Sequence, residues 1–171
     1  MFYAYKNGQM VVGSFDEKKL VKTCQKAGIH DYVISQEPPK KEISFETQRR
    51  KALFSVKKWT AKKITGGFIS SASGAPVKYD SDKDTQLTMQ GIALNVNTVL
   101  FAEKYPNGCP VRGYAEGATE KTVYMLDSEQ VLKWCADLSM HIGACKQAGW
   151  AKQAEVNACT TKEELEAIVL E

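Results

Sequence analysis

VKYDSDKDTQLTMQGIALNVNTVLFA, residues 77–102, opens as a strand, breaks at a polar corner and continues as the most apolar helical pattern in the chain. Upstream, Phe68-Ile69 and Val77–Tyr79 flank the small and turn-forming run Ser70–Pro76, which predicts a hairpin. Asp80-Ser81-Asp82 follows, and short polar side chains there accept hydrogen bonds from the free N–H groups of a new helix. Asp82 and Asp84 also sit at the positive end of its dipole. From Thr85 the period changes. Leu87, Gly91, Leu94, Thr98 and Phe101 form one stripe, and Met89, Ile92, Val96 and Val99 form another beside it. A helix apolar on two stripes is normally covered on both, so it is expected at the centre of the domain. Gly91 costs a helix about 1 kcal/mol against Ala, so close packing by another element is expected to offset it. Asn95 and Asn97 interrupt the pattern, either facing a rim or capping a neighbouring backbone, or as buried ligand contacts. Leu94→Asp is expected to unfold the domain, because a charge would enter a two-sided core.

The chain has 171 residues, 43% hydrophobic, which suits one domain or one domain with a small appendage and is too apolar for disorder. MFYAYKNGQ has no signal-peptide anatomy, and no apolar run reaches the ~20 residues of a membrane span. We expect a protein made and kept in the cytosol, or in a particle assembled there. Cys24, Cys109, Cys135, Cys145 and Cys159 are odd in number and include no Cys-x-x-Cys pair, so free thiols are expected. The net charge of +3 is unevenly spread. Residues 1–63 hold 14 Lys and Arg against 6 Asp and Glu; the remainder holds 9 against 14. The halves attract each other or offer partners two differently charged surfaces.

Along the chain, Asn7-Gly8 between short apolar runs is a strong hairpin signal. Ser14 with Glu17 predicts a capping box, Leu20, Val21 and Cys24 an apolar helical face, and Gly28 its end. Asp31–Ser35 reads as a strand, so residues 1–36 form a small ββαβ unit. Residues 37–43, with Pro38 and Pro39, form the linker to a second domain over 44–171. Ser44 opens a helix running to Lys63 or Ile64, with Phe45, Gln48, Ala52, Val56 and Trp59 on one face. Arg49, Arg50, Lys51, Lys57, Lys58, Lys62 and Lys63 crowd the rest. Beside Trp59 such a face can bind nucleic acid, but no nucleic-acid motif accompanies it, and a solvated face whose stems cover apolar surface explains it more simply. Val111–Tyr114 and Thr122–Met125 predict a second hairpin. Asp127 or Ser128 then caps a helix whose Val131, Cys135, Leu138, Ile142, Cys145 and Gly149 form a seam for another helix. Trp134 lies off that seam, Trp150 flanks its end, and Gly149 is expected to bend or interrupt the helix. Thr160 and Thr161 before Glu163 and Glu164 allow two registers of a last capping box. The fold class is therefore α+β: a small ββαβ unit, then helices interleaved with two short hairpins around a central buried helix.

No catalytic constellation stands out. Gly66-Gly67 and Gly74 lack the spacing and the lysine of a phosphate loop. Neither histidine has a Ser or Cys with an orienting acid in a recognisable arrangement. His141 and Cys145 are four apart on a helix, but a pair does not make a metal site. Asp80–Asp84 resembles the start of a calcium loop, yet Thr85 and Gly91 stand where its glycine and final glutamate belong. Neither cofactor nor metal is expected, and no pair of carboxylates is singled out for acid–base work.

Residues from about 48 to 168 resemble an uncharacterised domain of tailed-phage and prophage proteins, often encoded in tail-fibre or tail-fibre-assembly genes. The likeness rests on ordered features. These are Arg49-Arg50-Lys51 in a charged helix, Gly67-Phe68, Val77–Asp82, Thr85-Gln86 entering the apolar helix with Gly91, and the helix with His141. Lys152-Gln153 and Thr160–Ile168 follow. Tyr79–Asp82 leading to Thr85-Gln86 is the most specific piece. The stretch Tyr105–Glu120 is longer and more polar than that pattern, and Val111 or Tyr114 stands where the family usually has Trp. The resemblance implies a phage structural or assembly context, and it carries over no catalytic residues.

The expected function is that of a tail or tail-fibre associated protein, a structural component or an assembly chaperone acting by protein–protein interaction and not as an enzyme. Arg49, Arg50, Lys57, Lys58, Trp59, Trp134 and Trp150 are the candidate partner-binding residues, since aromatic anchors dominate interfaces. Residues 1–36 look like an attachment module. The partner is another tail or fibre protein or a second copy of the chain, in the host cytoplasm during assembly or in the virion tail. The alternative is an inhibitor that binds a host defence protein or nucleic acid through helix 45–63. A hydrolase with an unrecognised site ranks behind both.

Overall fold

A computed structural model describes residues 1–37 and 43–171 of the chain. The expected linker, 37–43, falls outside the described residues except at its two ends. The chain divides into two compact units, Met1–Ser44 and Phe45–Glu171.

The first unit is the expected ββαβ arrangement. Strands β1 (Phe2–Lys6) and β2 (Gln9–Ser14) are joined at Asn7-Gly8, both with positive φ, as a tight hairpin of this type requires. Helix α1 (Glu17–Lys26) follows, and β3 (Val33–Ser35) pairs with the free edge of β1, giving the antiparallel order β2-β1-β3. Ala4, Leu20 and Cys24 are fully buried between helix and sheet. The helix is capped two residues later than expected. Asp16, not Ser14, accepts from the Lys18 and Lys19 N–H groups, while the Ser14 hydroxyl accepts from Asp16 N–H.

In the second unit, α2 (Phe45–Thr65) leads into β4 (Phe68–Ser70) and β5 (Val77–Tyr79), then α3 (Lys83–Asn95) and α4 (Val99–Lys104). Strands β6 (Cys109–Ala115) and β7 (Thr122–Leu126), α5 (Ser128–Ala158) and α6 (Lys162–Glu166) complete it. Both expected hairpins form, but they are not separate. Val77 pairs with Ala115 and Tyr79 with Gly113, so β5 and β6 join them into one antiparallel sheet, β4-β5-β6-β7. Alternation then sends Phe68, Ser70, Val77, Tyr79, Cys109, Val111 and Leu126 to one face, all buried.

The central buried helix is α5, not the stretch at 83–102. It runs unbroken for 31 residues and buries Val131, Trp134, Leu138, Cys145, Gly149 and Val156. Its first half covers the sheet and packs Phe68, Tyr79, Met89 and Val96. Its second half meets α2 and α6 around Val56, Val156, Cys159 and Leu165. The seam read from the sequence is correct, but Gly149 does not interrupt the helix. A side chain there would strike Thr60 of α2, so the glycine marks where two helices touch.

The apolar helix of the opening stretch is covered on one stripe only. Met89 and Val96 are buried and Ile92 packs on the core, whereas Leu87 and Leu94 are 70% and 83% exposed. The physical reason is the merged sheet. Its inner face is already occupied by α5, so α3 lies along the flank of α5 with its far side open. The rod also breaks. Thr98 caps α4, donating to Asn95 carbonyl at 2.7 Å and accepting from Phe101 N–H at 3.2 Å. Val99 and Leu100 are then exposed while Phe101 turns inward.

Candidate docking face on helix α2

Three side chains of the polar corner hold the fold, each differently. Asp80 is ion-paired with Lys121 of the loop before β7. The buried Ser81 hydroxyl donates to Ile64 carbonyl at 2.5 Å and accepts from Gly67 N–H at 2.8 Å, tying the end of α2 to the start of α3. The Asp82 carboxylate accepts from the Asp84 and Thr85 N–H groups and the Thr85 hydroxyl. The N–H and hydroxyl of Thr85, with that of Asp84, hold its pKa below the usual carboxylate value. These acids are thus engaged separately, and among the described residues no three His, Cys, Asp or Glu side chains cluster as metal ligands. Asn95 bonds the Gly91 carbonyl of its own helix at 2.8 Å, and Asn97 is exposed.

His141 and Cys145 do meet, Sγ to Nε2 at 3.7 Å, but the same Nε2 bonds the Lys63 carbonyl at 3.1 Å. A carbonyl only accepts, so this contact engages Nε2 as a donor to the backbone, and Nδ1 lies 4.0 Å from the Cys145 Sγ. Asp137, one turn before, is taken up by the Ser70 hydroxyl at 2.6 Å and by Lys133 at 2.8 Å. A groove of about 720 Å³ runs over the outer face of the sheet, lined by Ile69, Pro76, Lys78, Tyr114 and the loop 115–118; no Ser, Cys or His lines it.

The candidate binding residues separate into three groups. Trp134 is buried, its ring 6.4 Å from Phe68 and 5.7 Å from Tyr79, and it offers no surface to a partner. The helical seam passes it by, but the sheet beneath α5 widens the covered arc to include it. Arg49 and Trp59 are engaged by their own chain. Arg49 lies over Phe45, 4.7 Å from the ring centre, and donates to Cys159 carbonyl at 2.8 Å. The Trp59 indole donates to the Glu171 carbonyl at 2.6 Å, with Lys63 over its ring. Arg50, Lys57, Lys58 and Trp150 are exposed.

Sequence reasoning missed Phe54. It lies outside the apolar face of α2, is 58% exposed, and carries the Lys58 ammonium 4.8 Å from its ring centre. Arg50, Lys51, Phe54, Lys57, Lys58 and Lys62 together make the outer face of α2. No acidic residue occurs between Glu46 and Asp80, and none of these five cations is ion-paired with another described residue. An aromatic ring set among unpaired cations is chemically suited to an acidic surface. The signal was in the sequence: a lone aromatic at the i–4 position from a lysine within an acid-free stretch.

Residues 47–169 match the family described as Domain of unknown function (DUF4376). The chain belongs to that family. No curated protein and no solved structure matches the chain. The DUF4376 domain thus takes in α2 to α6 and both clusters of the second unit's core, while the ββαβ unit precedes it. Among the described residues no helix is long and apolar enough to cross a membrane.

Proposed function

We propose that this chain is a docking component of a tailed-phage tail or tail-fibre assembly, a structural piece or an assembly chaperone, and not an enzyme. The observation that carries it is the outer face of α2, where Phe54 stands exposed among five cations free of described ion-pair partners. That face fits an acidic segment of another tail or fibre protein, with Phe54 as the apolar anchor and Arg50, Lys57 and Lys58 matching its charge. The phage context rests on the likeness of residues 48–168 to domains in tail-fibre genes. Assembly in the host cytoplasm follows from that context, with retention in the virion tail as its structural version. The ββαβ unit is the natural second attachment point.

The same basic face favours one other reading, an inhibitor of a host defence protein or a nucleic-acid ligand. The test is affinity capture with tagged chain from an induced lysogen, with nuclease treatment and a salt series. Recovery of a tail or fibre protein that is lost with Phe54→Ala supports the docking role. A host protein, or nucleic acid whose binding falls steeply with salt, contradicts it.

A further inference from the structure

The sheet of the second unit ends in β4 on one side and β7 on the other. Strand β4 is three residues long, whereas β7 pairs all five of its residues with Cys109–Gly113 of β6 in unbroken register. Along its other side β7 pairs with no strand among the described residues. Such an edge offers a row of backbone N–H and C=O groups, which proteins blunt with short strands, bulges, prolines or charges. Thr122-Val123-Tyr124-Met125-Leu126 has none of these. The charges at its two ends are taken up, Lys121 by Asp80 and Asp127 as the cap of α5. Val123 and Met125 alternate to the outer face of the sheet and are 53% and 50% exposed. Tyr124 alternates to the core side yet is only half-buried. Opposite Val123 on the outer face stands Arg112, exposed and in no ion pair among the described residues. Strands β4 to β7 contain no acidic residue.

We propose that β7 is a strand-addition site, which takes an extended, acid-bearing segment of a partner protein as a further strand of the sheet. The backbone row selects the conformation of the occupant. Only another extended chain presents donors and acceptors at strand spacing, whereas a helix uses its own internally. Side chains select its composition. The residue arriving beside Val123 is an aspartate or glutamate, because Arg112 reaches across the short valine to its carboxylate. The residue beside Met125 is apolar, and so is the one between, which meets Tyr124 on the core side. The site shares no residue with the α2 face and its test needs no tail protein, so either reading can fail alone.

The probe is an acetylated and amidated peptide, Thr-Val-Val-Glu-Val-Val-Thr, which reads the same in both strand directions, titrated into the full chain by heteronuclear NMR. Saturable shifts of the β7 amide signals and slowed hydrogen exchange there are expected. A copy N-methylated at its three central residues, unable to pair along either edge, is expected not to bind. Replacing the glutamate of the peptide by lysine is expected to weaken binding about fivefold. Arg112→Glu, at an exposed position, is expected to reverse that preference at unchanged melting temperature. No saturable shift, shifts confined to other elements, equal binding by the N-methylated copy, or indifference to the charge exchange would each overturn the proposal.

Discussion

Ser81 is fully buried, and its hydroxyl serves two backbone groups that no other described side chain reaches. Ser81→Ala leaves Gly67 N–H and Ile64 carbonyl unpaired at the junction of α2 and β4, and a buried orphaned polar group costs about 1–3 kcal/mol. Urea unfolding is expected to show that loss with an unchanged slope. Leu94 gives the opposite result. Because it is 83% exposed, Leu94→Asp is expected to melt within a few degrees of the wild type, not to unfold it. Trp134→Ala is expected to cost about 3–5 kcal/mol, as large aromatic truncations in cores do. The Asp82 cap was legible because its partners, Asp84 and Thr85, are neighbours in sequence. The role of Ser81 was not, because its partners lie 14 and 17 residues away. The most specific motif of the family resemblance, Tyr79–Asp82, is accounted for by folding: one ring in the core, one ion pair, one buried tie and one cap.

At the scale of elements, α5 and its contact with α2 set the architecture. Gly149→Ala drives a methyl group into Thr60, and overpacking of this kind costs about 1–3 kcal/mol. Thermal denaturation of Gly149→Ala beside Gly91→Ala separates a packed glycine from an open one, with Gly91→Ala expected to stabilise the protein by up to about 1 kcal/mol. Helix caps and Asp137 also shape the acid limb of stability. Asp82 is held below the ordinary value by the Thr85 N–H, and Glu164 by the N–H groups of Thr160 and Thr161 at the α6 cap. Burial pushes Asp137 up, but hydrogen bonds from Lys133 and Ser70 outweigh it and leave it lowered. A carboxylate whose folded pKa is depressed contributes stability above its unfolded pKa of about 4, and loses it as pH falls through the folded value. Urea midpoints are therefore expected to hold from pH 7 to about 5 and to fall below about 4. Asp137→Asn is expected to lower the neutral midpoint and flatten the acid limb; an equal drop at every pH would show that its ionisation contributes nothing. The helices and both hairpins were legible because their caps and turns are local. The joining of the hairpins was not, since the β5–β6 pairing spans more than thirty residues with no turn to announce it. That one missing pairing explains the misplaced helix: a merged sheet needs α5 across it, which pushes α3 to the flank.

For the whole molecule, the charge imbalance seen in the sequence takes physical form. Cations gather on the outer face of α2, while the uncharged stretch 85–102 shows its aliphatic side chains to solvent. Composition could not reveal the second surface, because a two-stripe apolar helix in sequence has the same pattern whether one stripe or both are covered. The division at Ser44 and Phe45 predicts that residues 45–171 expressed alone keep their helical circular dichroism and one cooperative melt. The proposed docking on the α2 face is tested most directly by the dissociation constant, by titration calorimetry, of the full chain for the tail or fibre protein that the affinity capture recovers. We expect micromolar or tighter binding by the wild type and at least a tenfold loss in Phe54→Ala/Lys58→Glu at unchanged melting temperature. Equal binding by the two proteins would contradict the account.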